Sequence, residues 1–215
     1  MNILLVRHGE TAWNREGRYQ GRTDIPLSAD GERQVRALGE RLAGIPIDVA
    51  VASPLTRARK TAEAILAGRG TALDLDDRIV EISHGRWEGQ LASDIELSHA
   101  EMLGAWRDAP GPDVPAGPEA ETLGDVERRA WPILAGLVTR TPVGGTALLV
   151  AHDAVNRVLL CRVLGMPLER VWKFRQSPAA LNVLSGSTID DLQVVRLNDS
   201  DHSAPLLRDA QHRAI

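Results

Sequence analysis

An arginine and a histidine, Arg7 and His8, stand directly after the first apolar run of the chain. The aliphatic run over 2–6 is typical of a buried strand, and the charged pair with Gly9 marks its end. Along a regular strand, Arg7 and His8 would point to opposite faces, so both reach one pocket only if the extended geometry breaks. Gly9 permits such a break because glycine adopts backbone angles that other residues avoid. We interpret His8 as a nucleophile and Arg7 as a guanidinium that binds phosphate.

A second histidine, His152, ends the apolar run over 146–151, which also has the composition of a buried strand. Ligands of open α/β sheets bind at the carboxyl ends of the strands, so the two histidines can converge on one anion. Arg57 is expected in the first turn of a helix that follows a strand, where the helix dipole also favours an anion. A phosphomonoester carries close to two negative charges, which these groups would neutralise.

Protonation follows from the same arrangement of charges. The arginines should lower the pKa of His8 and keep its imidazole neutral and nucleophilic, whereas we expect a protonated His152 to add positive charge. A carboxyl group can protonate a leaving alkoxide only if burial or the incoming phosphate raises its pKa, and it would then take a proton from the attacking water. This chemistry requires no metal and no cofactor, and the sequence offers no tidy cluster of metal ligands.

Composition limits the partners. The net charge of −4 and the pI of about 5.9 argue against nucleic acid or an anionic membrane as the main partner. The single cysteine, Cys161, excludes an internal disulfide framework. Because we find no leader-like segment and no apolar run of the roughly 20 residues that a bilayer span needs, we expect a cytoplasmic protein that acts on a small molecule.

Apolar periodicity predicts one domain over 1–198, followed by a polar tail over 199–215. The predicted strands lie at 2–6, 48–52, 72–75, 146–151, 180–184 and 193–197, with a short extended piece at 78–82. The predicted helices comprise one capped by Ser28 that ends before Gly44 and others at 55–67, 97–106, 123–139, 154–164 and near 168–174. Strands that alternate with helices predict a three-layer α/β/α sandwich with a mostly parallel central sheet. The segment from about 85 to 120 is rich in proline and glycine and is a candidate lid or substrate-selecting insertion.

Four motifs occur in an order that resembles the histidine phosphatase superfamily, in its phosphoglycerate-mutase-like branch. They are Arg7-His8-Gly9-Glu10-Thr11 with Asn14, the run from Ser53 to Ala62, the stretch from Glu81 to Gly89, and Val150-Ala151-His152. The resemblance implies a covalent phosphohistidine on His8, with Glu81 as the proton donor. It also implies that Arg7, Arg57 and His152 bind the phosphoryl oxygens. It suggests that Asn14 contacts the phosphoryl group and that Gln20 and Gly21 approach the substrate.

Two further residues have alternative interpretations. His84 resembles a substrate-holding position of metal-independent phosphoserine phosphatases, but it could equally be a loop histidine that meets solvent. Asp153 stands where this family often has glycine, so it either borders the substrate or caps a helix that starts at Ala154.

We therefore predict a phosphomonoesterase whose substrate is a small phosphate ester. Phosphoserine, a phosphorylated sugar, a phosphoglycerate derivative and a nucleotide-like ester all stay open. A phosphoglycerate mutase shares these motifs, although the middle segment lacks the arginine-rich insertion that we associate with dedicated mutases. A non-catalytic phospho-ligand module should have lost a nucleophile or an acid, yet His8 and Glu81 are both present. The sequence leaves open whether two copies form a homodimer.

Overall fold

The structure is a computed structural model that describes residues 1–203 of the 215-residue chain. Its strands are β1 (Asn2–Arg7), β2 (Val49–Ala52), β3 (Leu73–Leu75), β4 (Thr146–Ala151), β5 (Leu181–Ser185) and β6 (Gln193–Asp199). They form one six-stranded sheet in the order β3-β2-β4-β1-β5-β6. The strands β3, β2, β4 and β1 run parallel to one another. Strand β5 runs antiparallel to β1, and β6 runs antiparallel to β5. Of the predicted polar tail over 199–215, residues 204–215 lie outside the described residues.

Helices cover both faces of this sheet. They are α1 (Ala12–Glu16), α2 (Ala29–Leu42), α3 (Thr56–Leu66), α4 (Ala92–Ser98), α5 (Ala100–Asp108), α6 (Leu123–Arg140) and α7 (Asp153–Val163). Alternate residues of β1 enter different cores: Ile3 and Leu5 pack in the core that contains residues of α6 and α7, whereas Leu4 and Val6 pack with α2 and α3. The predicted three-layer sandwich with a mostly parallel sheet is confirmed. None of the helices within residues 1–203 is long and apolar enough to cross a membrane.

Two predicted elements differ from the structure. The extended piece expected at 78–82 is instead a 3₁₀ turn, Asp77–Ile79, followed by irregular chain, because the Asp76 side chain accepts a hydrogen bond from the Arg78 amide at 2.9 Å. The single helix expected at 97–106 is α4 followed by α5, separated at His99. The helix boundary at Ser28 agrees with the prediction, since its hydroxyl accepts from the amide of Gly31 at 3.0 Å.

The segment over 85–120 is built into the larger core. Ile95, Leu103 and Trp106 are buried there, and Trp106 packs edge-on against Trp172, with 5.1 Å between ring centroids. A lid or selecting function of this segment stays a prediction.

Candidate active site

The ends of β1 and β4 bring the two predicted histidines together. These strands are parallel neighbours in which Arg7 lies opposite Ala151, so His8 and His152 follow at the same edge of the sheet. The His8 amide donates to the carbonyl of Ala151 at 3.1 Å, and the two imidazole centroids are 5.2 Å apart. The structure therefore juxtaposes the two side chains, as expected from the apolar runs that precede them.

His8 is held in one tautomer. Its Nδ1 lies 2.7 Å from the carbonyl oxygen of Gly9, and because a carbonyl only accepts, Nδ1 carries the proton. Nε2 makes no hydrogen bond within the described residues and keeps its lone pair. Burial, followed by the charges of Arg57 and Arg7, lowers the pKa of His8 well below its usual 6.5. The imidazole is thus neutral, with its lone pair on Nε2.

Gly9 is required for a different reason from the one expected. Its backbone lies outside the left-handed region, so no unusual angle demands glycine there. A Cβ atom at this position would lie 2.6 Å from Cγ1 of Val35 and 2.9 Å from the carbonyl oxygen of Gly31. The close approach of α2 to this loop excludes any side chain, and the Gly9 amide donates to Thr61 at 3.1 Å.

Arg57 occupies the first turn of α3, as predicted, and is fully buried. Its two terminal nitrogens donate to the carbonyl oxygens of Gly21 at 2.7 Å and Thr23 at 2.8 Å. Burial lowers the pKa of Arg57 to about 10, so the guanidinium is still charged at neutral pH. Arg7 likewise donates to the carbonyl of Gln176.

Three polar nitrogens of these residues are buried without a partner among the described residues. They are Nε of Arg7, Nε of Arg57 and Nδ1 of His152. A buried polar group without a hydrogen bond is costly, so such groups call for an explanation. An anion at the strand edge would balance the charges of the two guanidiniums.

The surroundings of His152 determine its charge. Its side chain is fully buried and its Nε2 lies 2.8 Å from the Ser53 hydroxyl. Burial, followed by the charge of Arg57, lowers the pKa of His152 well below its usual range, so the imidazole is neutral before any anion binds, and the protonated form expected beside phosphate stays a prediction. A bound phosphate dianion would add a negative charge that favours protonation.

Glu81 has the environment of a general acid. The carboxylate accepts from the amides of Ile82 at 2.9 Å and Asp153 at 3.0 Å. Burial, and then the charge of Asp153, raises the pKa of Glu81 above its usual value. The structure thus meets, before any phosphate binds, the condition set by the sequence for a proton donor.

Asp153 does not cap a helix that starts at Ala154, because α7 begins at Asp153 itself and His152 is the capping residue. Its carboxylate pairs with Nε of Arg157 at 2.7 Å, and its second oxygen lies 3.9 Å from Arg7. Burial alone would raise the pKa of Asp153, but Arg157 and Arg7 hold it below the usual value. A contact with substrate at this position stays a prediction.

The interpretation of His84 as a loop residue that meets solvent is wrong. The side chain is 4% exposed, and Nδ1 lies 2.8 Å from the carbonyl oxygen of Ala116. The ring packs edge-on against Tyr19, 4.7 Å away. His84 lines one small cavity with Glu81 and Asp153, and a substrate contact stays a prediction.

Asn14, Gln20 and Gly21 all make internal hydrogen bonds. Oδ1 of Asn14 accepts from the Thr11 amide at 3.0 Å within the capping box of α1, and Oε1 of Gln20 accepts from the Thr11 hydroxyl at 2.9 Å. Gly21, at φ +52°, has no room for a Cβ atom, which would lie 2.1 Å from the Glu88 carboxylate. The substrate contacts expected for these three residues stay predictions.

Sequence reasoning missed three residues that support the site. Ser53 contacts His152, Gln176 accepts from Arg7, and Arg129 binds the backbone beside Glu81. Ser53 is the first residue of the motif from Ser53 to Ala62, and this position could have identified it. Gln176 acts through its main-chain oxygen and Arg129 lies in an ordinary helical pattern, so neither has a local signal.

The buried histidines predict a loss of stability in acid. The folded-state pKa values of His8, His84 and His152 are all lowered, whereas the unfolded values lie near 6.5. Below about pH 6.5 the unfolded chain therefore binds more protons, and each histidine should remove about 1.4 kcal/mol of unfolding free energy per pH unit until its folded pKa is reached. Urea unfolding between pH 7.5 and 5.5 measures this slope, which His84→Gln should reduce by one histidine's share. A slope unchanged in that variant would contradict the assignment.

Two imidazoles, two guanidiniums and a carboxyl group at the edge of a three-layer α/β/α sheet are suited to phosphoryl transfer. The chain belongs to the histidine phosphatase superfamily (branch 1), whose family model matches residues 3–200. It is 31% identical over 215 residues, covering 100% of both chains, to phosphoserine phosphatase 1 of Hydrogenobacter thermophilus. It is 35% identical over 173 residues to a probable phosphoglycerate mutase GpmB of Klebsiella pneumoniae, covering 78% of this chain and 76% of the other. A mycobacterial glucosyl-3-phosphoglycerate phosphatase structure, in complex with VO3, superimposes with a TM-score of 0.84 at 28% identity, covering 93% of this chain and 99% of that one.

Proposed function

We propose that this protein hydrolyses phosphomonoesters of small metabolites through a covalent phosphohistidine on His8. One observation carries the proposal: the Gly9 carbonyl holds the proton on Nδ1 of a His8 ring whose pKa is lowered, so Nε2 is a neutral nucleophile beside Arg7 and Arg57. A structural histidine would not need two guanidiniums next to it, whereas phosphoryl transfer does.

In the first step, Nε2 of His8 forms a bond to phosphorus while the ester P–O bond breaks. Negative charge spreads over the three equatorial oxygens, where Arg7, Arg57 and His152 can stabilise it. Protonated Glu81 gives its proton to the departing alkoxide, so the alcohol leaves in neutral form. The raised pKa of Glu81 supports this role because it keeps the carboxyl group protonated to higher pH.

In the second step, Glu81 is a carboxylate and accepts a proton from water as that water attacks phosphorus. The P–N bond breaks, His8 regains its lone pair, and inorganic phosphate is formed. Every step uses side chains of this chain, and none passes through a metal or a cofactor. Within residues 1–203, no group of three or more histidine, cysteine, aspartate or glutamate side chains is arranged to hold a metal ion.

Phosphoserine and a phosphoglycerate derivative are the substrates that the relatives favour, since phosphatases for both kinds of ester are among them. The test incubates the protein, with EDTA present, with phosphoserine, 3-phosphoglycerate, glucose 6-phosphate and AMP, and measures free phosphate. We expect release from at least one ester, and release from none would contradict a phosphatase.

A mutase is the second candidate, because a probable phosphoglycerate mutase is also among the relatives. Conversion of 3- to 2-phosphoglycerate without phosphate release would favour it over hydrolysis. Binding of phosphate without either reaction would instead favour a non-catalytic module. The cytoplasmic location and the homodimer stay predictions.

A further inference from the structure

Glu81 lies on a segment that the sheet does not hold. Residues 80–84 connect the 3₁₀ turn at Asp77–Ile79 to a second one at Gly85–Trp87, and they belong to neither a strand nor a helix. An acid that must reach the leaving oxygen needs a defined position, since a displacement of about 1 Å can cost roughly a hundredfold in rate. Something other than a strand ladder must therefore position this backbone.

Arg129, on α6, binds this segment through its main chain. One terminal nitrogen donates to the carbonyl oxygens of Arg78 at 2.8 Å and Val80 at 2.7 Å, and the other donates to that of Glu81 at 3.1 Å. A guanidinium presents its donors in a rigid planar fork, so these bonds define both the place and the orientation of the chain at Glu81.

Glu121 completes the arrangement from the other side. Its carboxylate accepts from Arg129 at 3.1 and 3.0 Å, and it also accepts from the Ser83 amide at 3.0 Å. The Glu121 amide in turn donates to the Ser83 carbonyl at 3.1 Å. The Arg129 and Glu121 side chains are only 16% and 19% exposed, so solvent competes little for these bonds. The pair thus holds the backbone at Glu81 and two residues beyond it.

We propose that Arg129, supported by Glu121, is a positioning residue for the general acid Glu81. It touches no reacting atom: it orients the backbone so that the Glu81 carboxylate reaches the Asp153 amide and, in the complex, the leaving oxygen. This inference rests on the proposed function, because it concerns the proton that Glu81 donates.

The test compares two esters that differ in their need for that proton. Alkyl esters such as phosphoserine and 3-phosphoglycerate have basic alkoxides as leaving groups, which need an acid. The leaving group of 2,4-dinitrophenyl phosphate is a stable phenolate. The constant kcat/KM reports steps up to phosphoryl transfer, where the acid acts. We expect Arg129→Lys, which keeps the charge but loses the fork, to lower kcat/KM for the alkyl ester that the wild type hydrolyses fastest by about 10- to 100-fold. For the dinitrophenyl ester we expect a change of less than about threefold, because its leaving group needs no acid.

Arg128→Ala is the matched control. Arg128 is the next residue on α6, its side chain is 77% exposed, and it pairs only with Asp125 among the described residues. We expect this variant to retain wild-type kcat/KM on both esters. Glu121→Gln should show the same selective loss, but a smaller one. If thermal unfolding shows that the Arg129 variant does not fold, Glu121→Gln replaces it in the comparison of the two esters.

The outcomes are distinct. Equal losses on the two esters would mean that Arg129 serves general stability, and no loss on the alkyl ester would mean that Glu81 needs no such support; either overturns the inference. If the wild type hydrolyses neither ester, the proposed function itself fails, and this role fails with it.

Discussion

His8→Ala should lower phosphate release by at least about a thousandfold, since loss of a nucleophile removes the covalent path that the other groups assist. Arg7 and Arg57 would still bind phosphate in this variant, because main-chain carbonyls and not His8 hold them. We therefore expect an inactive protein that retains affinity for substrate. Phosphate release at saturating substrate measures the first property, and calorimetric titration with inorganic phosphate measures the second.

A direct test detects the covalent intermediate. Rapid denaturation of the working enzyme under alkaline conditions, followed by mass spectrometry of peptides, should reveal phosphate on His8. His99→Ala, which removes an exposed histidine between α4 and α5, is the control and should keep both activity and the modified peptide. Phosphate found on another residue, or substantial turnover by His8→Ala, would contradict the mechanism.

Glu81→Gln should have the second largest effect, with a characteristic dependence on the leaving group. We expect kcat/KM for alkyl esters to fall by about 10²- to 10⁴-fold, the usual contribution of a positioned acid. With 2,4-dinitrophenyl phosphate the first step should survive, but attack of water on phosphohistidine should slow because the base is missing. Stopped-flow absorbance should then show a burst of dinitrophenolate, close to one per enzyme molecule, before a slow steady state.

The pH dependence of the wild-type enzyme tests whether Glu81 is the acid. The pKa of Glu81 is raised, so its protonated form persists to higher pH, and alkyl-ester kcat/KM should fall as pH rises through that value. The pKa of His8 is lowered, so the nucleophile stays unprotonated well below pH 6.5. Glu81→Gln should lack the basic limb. If that limb is unchanged in the variant, another group is the acid.

The convergence of His8 and His152 could be predicted because it depends on two local patterns and one general rule. Apolar runs ended at each histidine, and parallel strands present their carboxyl ends at one edge. The position of Arg57 could be predicted equally well, since a helix that follows a strand places its first turn at that edge. These residues owe their positions to secondary structure, which periodicity reports well.

Other properties depend on neighbours that are distant in sequence. Gly9 is constrained by Val35 and Gly31 on α2, and no pattern around residue 9 contains that information. The neutral state of His152 before an anion binds follows from complete burial near Arg57, which residue type alone does not reveal. For Asp153, a local rule offered a helix cap as one of two interpretations, but its pairing with Arg157 one helical turn away competes with that role.

The segment over 85–120 was the hardest to predict. Its helices α4 and α5 have only 7 and 9 residues, too few for a clear period, and tertiary packing of side chains such as Trp106 stabilises them. The contacts that choose a substrate are expected to lie in this part of the chain, and there the sequence was least informative.

The groups around the candidate active site are oriented chiefly by main-chain oxygens. Arg57 binds the carbonyls of Gly21 and Thr23, His8 that of Gly9, and His84 that of Ala116. Every amino acid supplies a carbonyl, so replacing a loop side chain leaves these partners in place as long as the backbone path is kept. In a search for new substrates, the protein should therefore tolerate broad variation at exposed loop positions, because the side chains of the candidate active site keep their orientation.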